Sequence, residues 1–506
     1  MHDEAGIASV ESHSTAVAGG RGAPIERRQV VVGDSIAAVV AVDALARAGA
    51  EVVWYAGGQR VGGGFAAVHL GGRRLELGAR VLELSYDAPT DVALSGSAAL
   101  ACPPLSGYRP GPHGHREWIG LVDSYVRSLV GDELCAVAPP QMDLGGRMVD
   151  DWLLAGDLAG AVDAFAPSAQ RFAAAAEAAV DRWGERGWFA SEHHDLLQHH
   201  SLAEAGAAHL GSDASGRLIE SFASRILRRG ANDVIAALHR KIWLPLFWPS
   251  TAAAAFSGAP YVRPERPFAT VRERGMSGLV DELVARVGAA STVEVRHVGN
   301  LVGLESDGPL TTCAFSDGTV VRSARPVLGV GARELFAAVG IELDLDPAHS
   351  SLGWVELPDG ASAPDVWWVA AEDRPVFRAS TSRPADSPPV VCCELAWWVD
   401  DSELGTEAAA AIADAGIVSD VGDLQVLGSA RSRSFPLPSV SNRARFQLAR
   451  AAFDAASPIC TVVGSASEFG ADTFNEQVVQ GLAAAAAVVG DAAAARAASS
   501  SVVAAS

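Results

Sequence analysis

Two glycine turns, far apart in the chain, carry residue types that can hold a phosphate. The first follows a run of valines, Val30-Val31-Val32-Gly33-Asp34-Ser35-Ile36-Ala37-Ala38, and continues through an Ala/Val/Leu stretch to Gly49 and Glu51-Val52-Val53-Trp54-Tyr55-Ala56. Strand, tight Gly turn, helix and second strand make the βαβ unit whose helix N-terminus can receive a pyrophosphate. The second is Ile459-Cys460-Thr461-Val462-Val463-Gly464-Ser465, with Asn475-Glu476-Gln477-Val478-Val479-Gln480-Gly481-Leu482 after it. A strand ending in Gly464 and a helix beginning near Asn475 would close over the far end of a dinucleotide.

Other residues have chemistry without a pattern as specific. Lys241 is the only lysine among 39 basic side chains. A buried lysine can serve as a base or form a Schiff base at neutral pH, which arginine cannot; a lysine at a core edge reads the same way in sequence. Its neighbours Ile242, Trp243, Leu244, Phe247 and Trp248 are apolar and would lower its pKa. Glu192-His193-His194-Asp195-Leu196-Leu197-Gln198-His199-His200 places Asp195 and His199 at i,i+4, on one face if helical. No metal-ligand spacing appears there, and a solvated helix or turn is the plainer reading. The pairs Trp367-Trp368 and Trp397-Trp398, in a strand-rich region, can each put one ring on a given sheet face. Arg431 and Arg433 read either as a polar seam beside a substrate or as surface charges. The six cysteines show no disulfide or metal spacing, and Cys392-Cys393 sits in an apolar run where buried thiols are expected.

The elements that must position these groups follow from texture. At 506 residues and 49% hydrophobic the chain can bury more than one core, and its net charge of -21 argues against nucleic acid or an anionic membrane as partner. Ala67 to Gly78 alternates and turns on Gly71-Gly72, which predicts a hairpin. Residues 116–245 are mostly helical in period. From Val271 the texture is α/β again: a helix over Met276–Val287, a strand at Val293–Arg296, Leu301 to Leu304, turns at Asp307-Gly308 and Asp317-Gly318, then Pro326-Val327-Leu328-Gly329-Val330. Residues 1–27 lack an apolar signal core and read as a disordered tail, as do residues 491–506. The Ala-rich terminal run is too broken to span a membrane.

This order resembles the flavin amine oxidase superfamily, which includes protoporphyrinogen oxidase and UDP-galactopyranose mutase. Its members show a strand, G-x-G-x-x-G, a helix, E-V-x-V-x-E and R-V-G-G-R, matched here by Gly33 to Ala38, Glu51 to Ala56 and Arg60-Val61-Gly62-Gly63-Gly64. Gly275-Met276-Ser277-Gly278-Leu279 is similar to the family's later G-G-M-x-x-L, and Val293-Glu294-Val295-Arg296 with Leu301 to its strand pair. The resemblance implies that Leu301 packs its backbone on an adenine. It implies FAD as cofactor, with Gly33, Ser35, Ala38, Ala56, Gly62, Gly63, Leu301, Gly464, Ser465 and Asn475 at the cofactor positions. Several positions depart from the family. The second and third glycines are Ser35 and Ala38, and the ribose carboxylate falls on Ala56. The arginine after the double glycine falls on Gly64, and the aspartate of the terminal G-D pair on Ser465. Asp34 also brings negative charge beside the phosphate, unfavourable unless it points away. Each lost charge-assisted bond is worth about 1.5–3 kcal/mol. Around Lys241, K-x-W is similar to a segment of the galactopyranose mutases.

The expectation is an α/β protein with a discontinuous Rossmann-like FAD-binding domain (28–90, 270–345 and 440–490). A helical plus β-sheet substrate domain (91–269 and 346–439) is inserted into it. The activity implied is an FAD-dependent oxidoreductase, amine oxidase-like, acting on a small or mid-sized organic molecule in the cytoplasm. Lys241 is the candidate catalytic residue. Two alternatives stay open: a redox-neutral isomerase, mutase or cyclase on the same scaffold, and a non-catalytic binding protein that has lost its cofactor.

Overall fold

Gln29-Val30-Val31-Val32 is rich in the β-branched residues that suit a buried pleated surface, and it forms β1 (Gln29–Val32) at the centre of a parallel sheet. The computed structural model describes residues 24–57, 60–84, 105, 107–111, 118–138, 140–150, 168–185, 187, 193–238, 249–260, 268–456 and 458–504. On one side β1 pairs with β2 (Val52–Ala56), which pairs in turn with Val293–His297. On the other side it meets Val327–Leu328, and beyond that lies Thr461–Val462. Counted along the chain, the five strands lie in the order 3-2-1-4-5. Ligands of such sheets bind beyond the carboxyl ends of the strands.

Between β1 and β2 runs α1 (Ile36–Arg47), whose residues from Ile36 to Leu45 are all buried. A helix apolar on every side must be covered on every side. The helices Ile119–Val130, Gly275–Ala289 and Phe474–Ala504 share its apolar core. The one charged residue in that buried run, Asp43, accepts from Tyr125 Oη at 2.8 Å and pairs with Arg286 at 2.6 Å. Gly481 lets the last helix come close: a Cβ there would lie 2.5 Å from Ala37 O and 2.7 Å from Val40 Cβ.

The second large element is a seven-stranded sheet built mainly from residues 347–436, with Gln141–Asp143 and Met148–Asp150 added at one edge. Within it, Trp367 and Trp368 lie in different apolar clusters, one on each face, as alternation requires. Cys392 and Cys393 are buried in the strand Val390–Leu395, both with their thiols pushed up by burial. The hairpin at Gly71-Gly72 forms, with φ of 55° and 76° at the two turn residues.

Several expectations change. The described residues of 116–245 are mostly helical as expected, but Leu134–Ala136, Gln141–Asp143 and Met148–Asp150 are short strands whose partners include distant segments. Trp397 and Trp398 follow the strand Val390–Leu395 as a turn; Trp398 is 47% exposed, edge-on to Trp397. The tail boundary expected at 27 falls inside an ordered segment, since Ile25 bridges to Arg322 and Glu26 pairs with Arg28. The boundary expected at 490 falls inside the helix Phe474–Ala504. Among the described residues, no helix is long and apolar enough to cross a membrane.

Candidate functional site

At the carboxyl end of β1 the chain turns through Gly33 with φ 106°. A Cβ there would lie 2.5 Å from Gly329 O and 2.8 Å from Val330 N, so only glycine lets the two strand ends approach. Trp54 Nε1 donates to Gly33 O at 2.9 Å, and Gly33 N–H donates to Tyr55 O at 2.9 Å, fixing the turn against β2. Ser35 is the N-cap of α1: its Oγ accepts the Ala38 N–H at 3.2 Å. Its own N–H donates to Gly329 O at 3.1 Å, and the helical ladder opens with Val39 N–H on Ser35 O at 3.2 Å. The N–H groups of Ile36 and Ala37 therefore precede the ladder at a helix start.

Asp34 points away from this helix start. Its Oδ1 accepts the Gly57 N–H at 2.9 Å, just beyond β2, and its carbonyl accepts the Gly62 N–H at 2.9 Å. Gly62, at φ 86°, lies against Val280 and Ile36, while Gly63 faces open space. Gly64 is bordered by Arg80, whose Nε donates to Gly64 O at 3.1 Å.

Arg80, half-buried, also flanks a buried ion pair. Arg378 holds Glu394 in a two-pronged pair, Nε to Oε1 at 2.7 Å and Nη2 to Oε2 at 2.6 Å, and Ala79 N–H donates to Glu394 Oε1 at 3.0 Å. Burial raises the Glu394 pKa most, yet Arg378, the Ala79 N–H and Arg80 together hold it below the usual carboxylate value. Burial works against the charge on Arg80, opposed by Glu394 and Glu76; arginine remains cationic at neutral pH regardless. Glu76, beneath the same segment, is pushed up by burial although Ser277 N–H donates to it at 3.0 Å.

The far wall is the start of the last helix. Thr473 Oγ1 accepts the Glu476 N–H at 3.3 Å, and Asn475 Nδ2 donates to Glu83 O at 2.9 Å. Asn475 Oδ1 is buried without a hydrogen-bond partner. These segments together line one cleft of about 410 Å³ that also includes Phe65, Phe268, Phe435 and Phe474, with Phe65 packed between Arg80 and Phe474.

Of the residues expected at a cofactor, Gly33, Ser35, Gly62, Gly63, Ser465 and Asn475 line this cleft. Ala38, Ala56, Leu301 and Gly464 do not. Ala38 packs against Gly329, and Ala56 ends β2 at 2% exposure. Leu301 N–H is taken by Glu334 at 2.6 Å, and Asn300 lines the cleft in its place. Gly464 sits against Ser35, its N–H on Gln480 Oε1 at 2.5 Å. Lys241 lies outside the described residues. The histidine segment does not converge: the helix there covers only His194–Leu197, leaving His199 beyond it. His193 contacts Trp183, and His200 pairs with Glu204. Among the described residues, no group of three or more His, Cys, Asp or Glu could hold a metal. Arg431 is used structurally, donating to Trp397 O at 3.0 Å and pairing with Asp401 at 2.7 Å.

No family model matches the sequence, and no curated protein matches it. Solved structures do match. A reduced UDP-galactopyranose mutase superposes with a TM-score of 0.64 at 11% identity, covering 92% of this chain and 94% of that one. A putative protoporphyrinogen oxidase from Exiguobacterium sp. gives 0.57 at 14% identity, covering 92% and 99%. Cyclohexylamine oxidase from Brevibacterium oxydans gives 0.54 at 14% identity, again covering 92% and 99%. The chain shares the fold of these solved structures.

Within that fold, the residues that the sequence did not announce are Arg80 and the Arg378–Glu394 pair. Asp34 was visible but its direction was not. The signal for Glu394 was a single acid inside the apolar run Val390-Val391-Cys392-Cys393-Glu394-Leu395, which a buried strand tolerates only with a partner.

Proposed function

We propose that this protein is an FAD-dependent oxidoreductase of the amine oxidase type, acting on a small or mid-sized organic molecule. The observation that carries this reading is the single cleft where the α1 start, the Gly62–Gly64 turn, Gly329–Gly331 and the last helix's start converge. The donor set suits a dinucleotide. The Ile36 and Ala37 N–H groups would hold the pyrophosphate, and the missing side chain at Gly63 leaves it room. Ser465 and Thr473 supply hydroxyls beyond it, and the unpartnered Asn475 Oδ1 offers an acceptor to a ring N–H. Arg80, set against Gly64, brings a cation to the region where the family places the arginine that Gly64 lacks. The phenylalanines lining the cleft would exclude water from a flat ring system.

When bound, a flavin supplies hydride acceptance from a C–N or C–C bond. The chain's own residues bind, orient and dry the site; Lys241 stays a proposal from sequence alone. We take residues 28–90, 270–345 and 440–490 as the cofactor-binding part and the remainder as the substrate part. The free described cysteines support a reducing, cytoplasmic setting. A redox-neutral reaction on the same site is favoured by one observation, the 0.64 TM-score with the mutase structure.

The test is the small-molecule content of the purified protein, by absorbance near 450 nm and by mass spectrometry after denaturation. FAD that co-purifies, or that binds when added, is the expected result. A protein that neither retains nor takes up FAD would overturn the reading. If FAD is present, turnover that consumes oxygen or reduces an added electron acceptor marks the oxidoreductase, and turnover that does neither marks the redox-neutral reaction.

A further inference from the structure

We infer that Asp34 holds the ribose hydroxyls of the adenosine half of the bound dinucleotide, the role that Ala56 cannot fill. The inference rests on the dinucleotide reading above. In sites of this topology an acidic side chain at the end of the second strand receives those hydroxyls. Here that position is Ala56, buried at 2% exposure and without a polar side chain. A carboxylate is nevertheless present at the same strand end, brought from the neighbouring turn: Asp34 Oδ1 accepts the Gly57 N–H at 2.9 Å. A Cβ on residue 57 would lie 2.9 Å from Asp34 Oδ2, so Gly57 is what gives the carboxylate its room. Asp34 and Gly57 both line the cleft.

Three features then fit one another. Strand β2 ends without a long side chain at 56 or 57, and the first turn carries an acid where bulk or charge would otherwise be unwelcome. The acid turns away from the helix start that would receive the phosphate. A carboxylate accepts several hydrogen bonds, and the Gly57 bond fixes its orientation at the strand end. Negative charge at this spot also selects against a phosphorylated ribose, and so for FAD or NAD over NADP.

The test titrates full-length protein, stripped of bound nucleotide, with FAD, ADP and FMN. The proteins compared are wild type, Asp34→Ala, Asp34→Asn and the double variant Asp34→Ala/Ala56→Glu. Asp34→Asn keeps an acceptor for the Gly57 N–H and so protects the turn; melting temperatures report the fold of each variant. Asp34→Ala is expected to weaken FAD and ADP at least tenfold, Asp34→Asn less, and neither to move FMN, which has no adenosine. Returning the carboxylate at position 56 should restore the FAD affinity. FAD and ADP affinities within twofold of wild type in both single variants would overturn the inference. An equal loss for FMN would also overturn it, because Asp34 would then act only by shaping the loop. Wild-type protein that binds ADP but not FAD would sink the flavin reading and leave the ADP arm to decide Asp34. Wild-type protein that binds neither would sink both.

Discussion

A side chain at position 33 would hold its Cβ 2.5 Å from Gly329 O at a φ of 106°. Gly33→Ala is therefore expected to lose about 2 kcal/mol or more of stability from the backbone alone, measured by urea denaturation, whatever the protein binds. Gly33 thus reports on the sheet as much as on the cofactor, and Asp34 is the cleaner probe of the ligand. The Arg378–Glu394 pair belongs to the same scale. Both residues are nearly fully buried, at 7% and 8% exposure, so removing one leaves an uncompensated charge. Glu394→Leu should destabilise by about 3–5 kcal/mol, and Arg378→Leu/Glu394→Leu by clearly less than the two single losses added. Additive losses in a double-mutant cycle would show that the two side chains do not act as a pair.

At the scale of elements, the last helix is seated on α1 through Gly481, with no room for a Cβ against Ala37 O and Val40. Gly481→Val should push the helices apart and destabilise by about 1–3 kcal/mol. Because both helices start at the cleft, FAD retention on dialysis should fall as well; retention equal to wild type would separate the two effects. Elements of this kind were the legible part of the sequence. The βαβ unit, the Gly71-Gly72 hairpin and the helix Gly275–Ala289 were announced by valine runs, paired glycines and 3.6-residue periodicity. Strands of three residues were not, because Gln141–Asp143 is defined by its parallel partner at Trp367–Val369, more than two hundred residues away, and carries no period of its own. The site was half legible for a related reason. Glycines needed for a positive φ or a close approach declare themselves by type. The direction of Asp34, the reach of Arg80 toward Gly64 and the Arg378–Glu394 pair depend on tertiary placement.

Across the whole molecule, stability should depend on pH through a group far from the sequence motifs. His209 is buried at 2% exposure, its Nδ1 2.6 Å from Ala205 O, and its pKa is pushed down to about 4, chiefly by burial. The unfolded chain takes up a proton near pH 6.5. Between those values the unfolded state binds the proton and the native state does not. Stability is then fully present above about pH 6.5 and falls as pH drops toward 4, by on the order of 3 kcal/mol at most. Urea midpoints from pH 7 to 4.5 should fall more steeply in wild type than in His209→Gln. Parallel slopes would remove His209 from the account.

The parallel sheet has a further consequence for synthesis. β1 emerges first, yet its neighbour Val327–Leu328 and the strand beyond it, Thr461–Val462, arrive much later. At roughly 5–20 residues per second the wait is on the order of tens of seconds. Throughout it, one hydrogen-bonding edge of a valine strand stays unpaired and the apolar α1 lacks its last covering helix. Emergence of the helix Phe474–Ala504, rather than of the first domain-sized length, is the moment at which the cleft can close. A nascent-chain arrest series should show protease protection of residues 29–56 only once the final helix has cleared the exit tunnel.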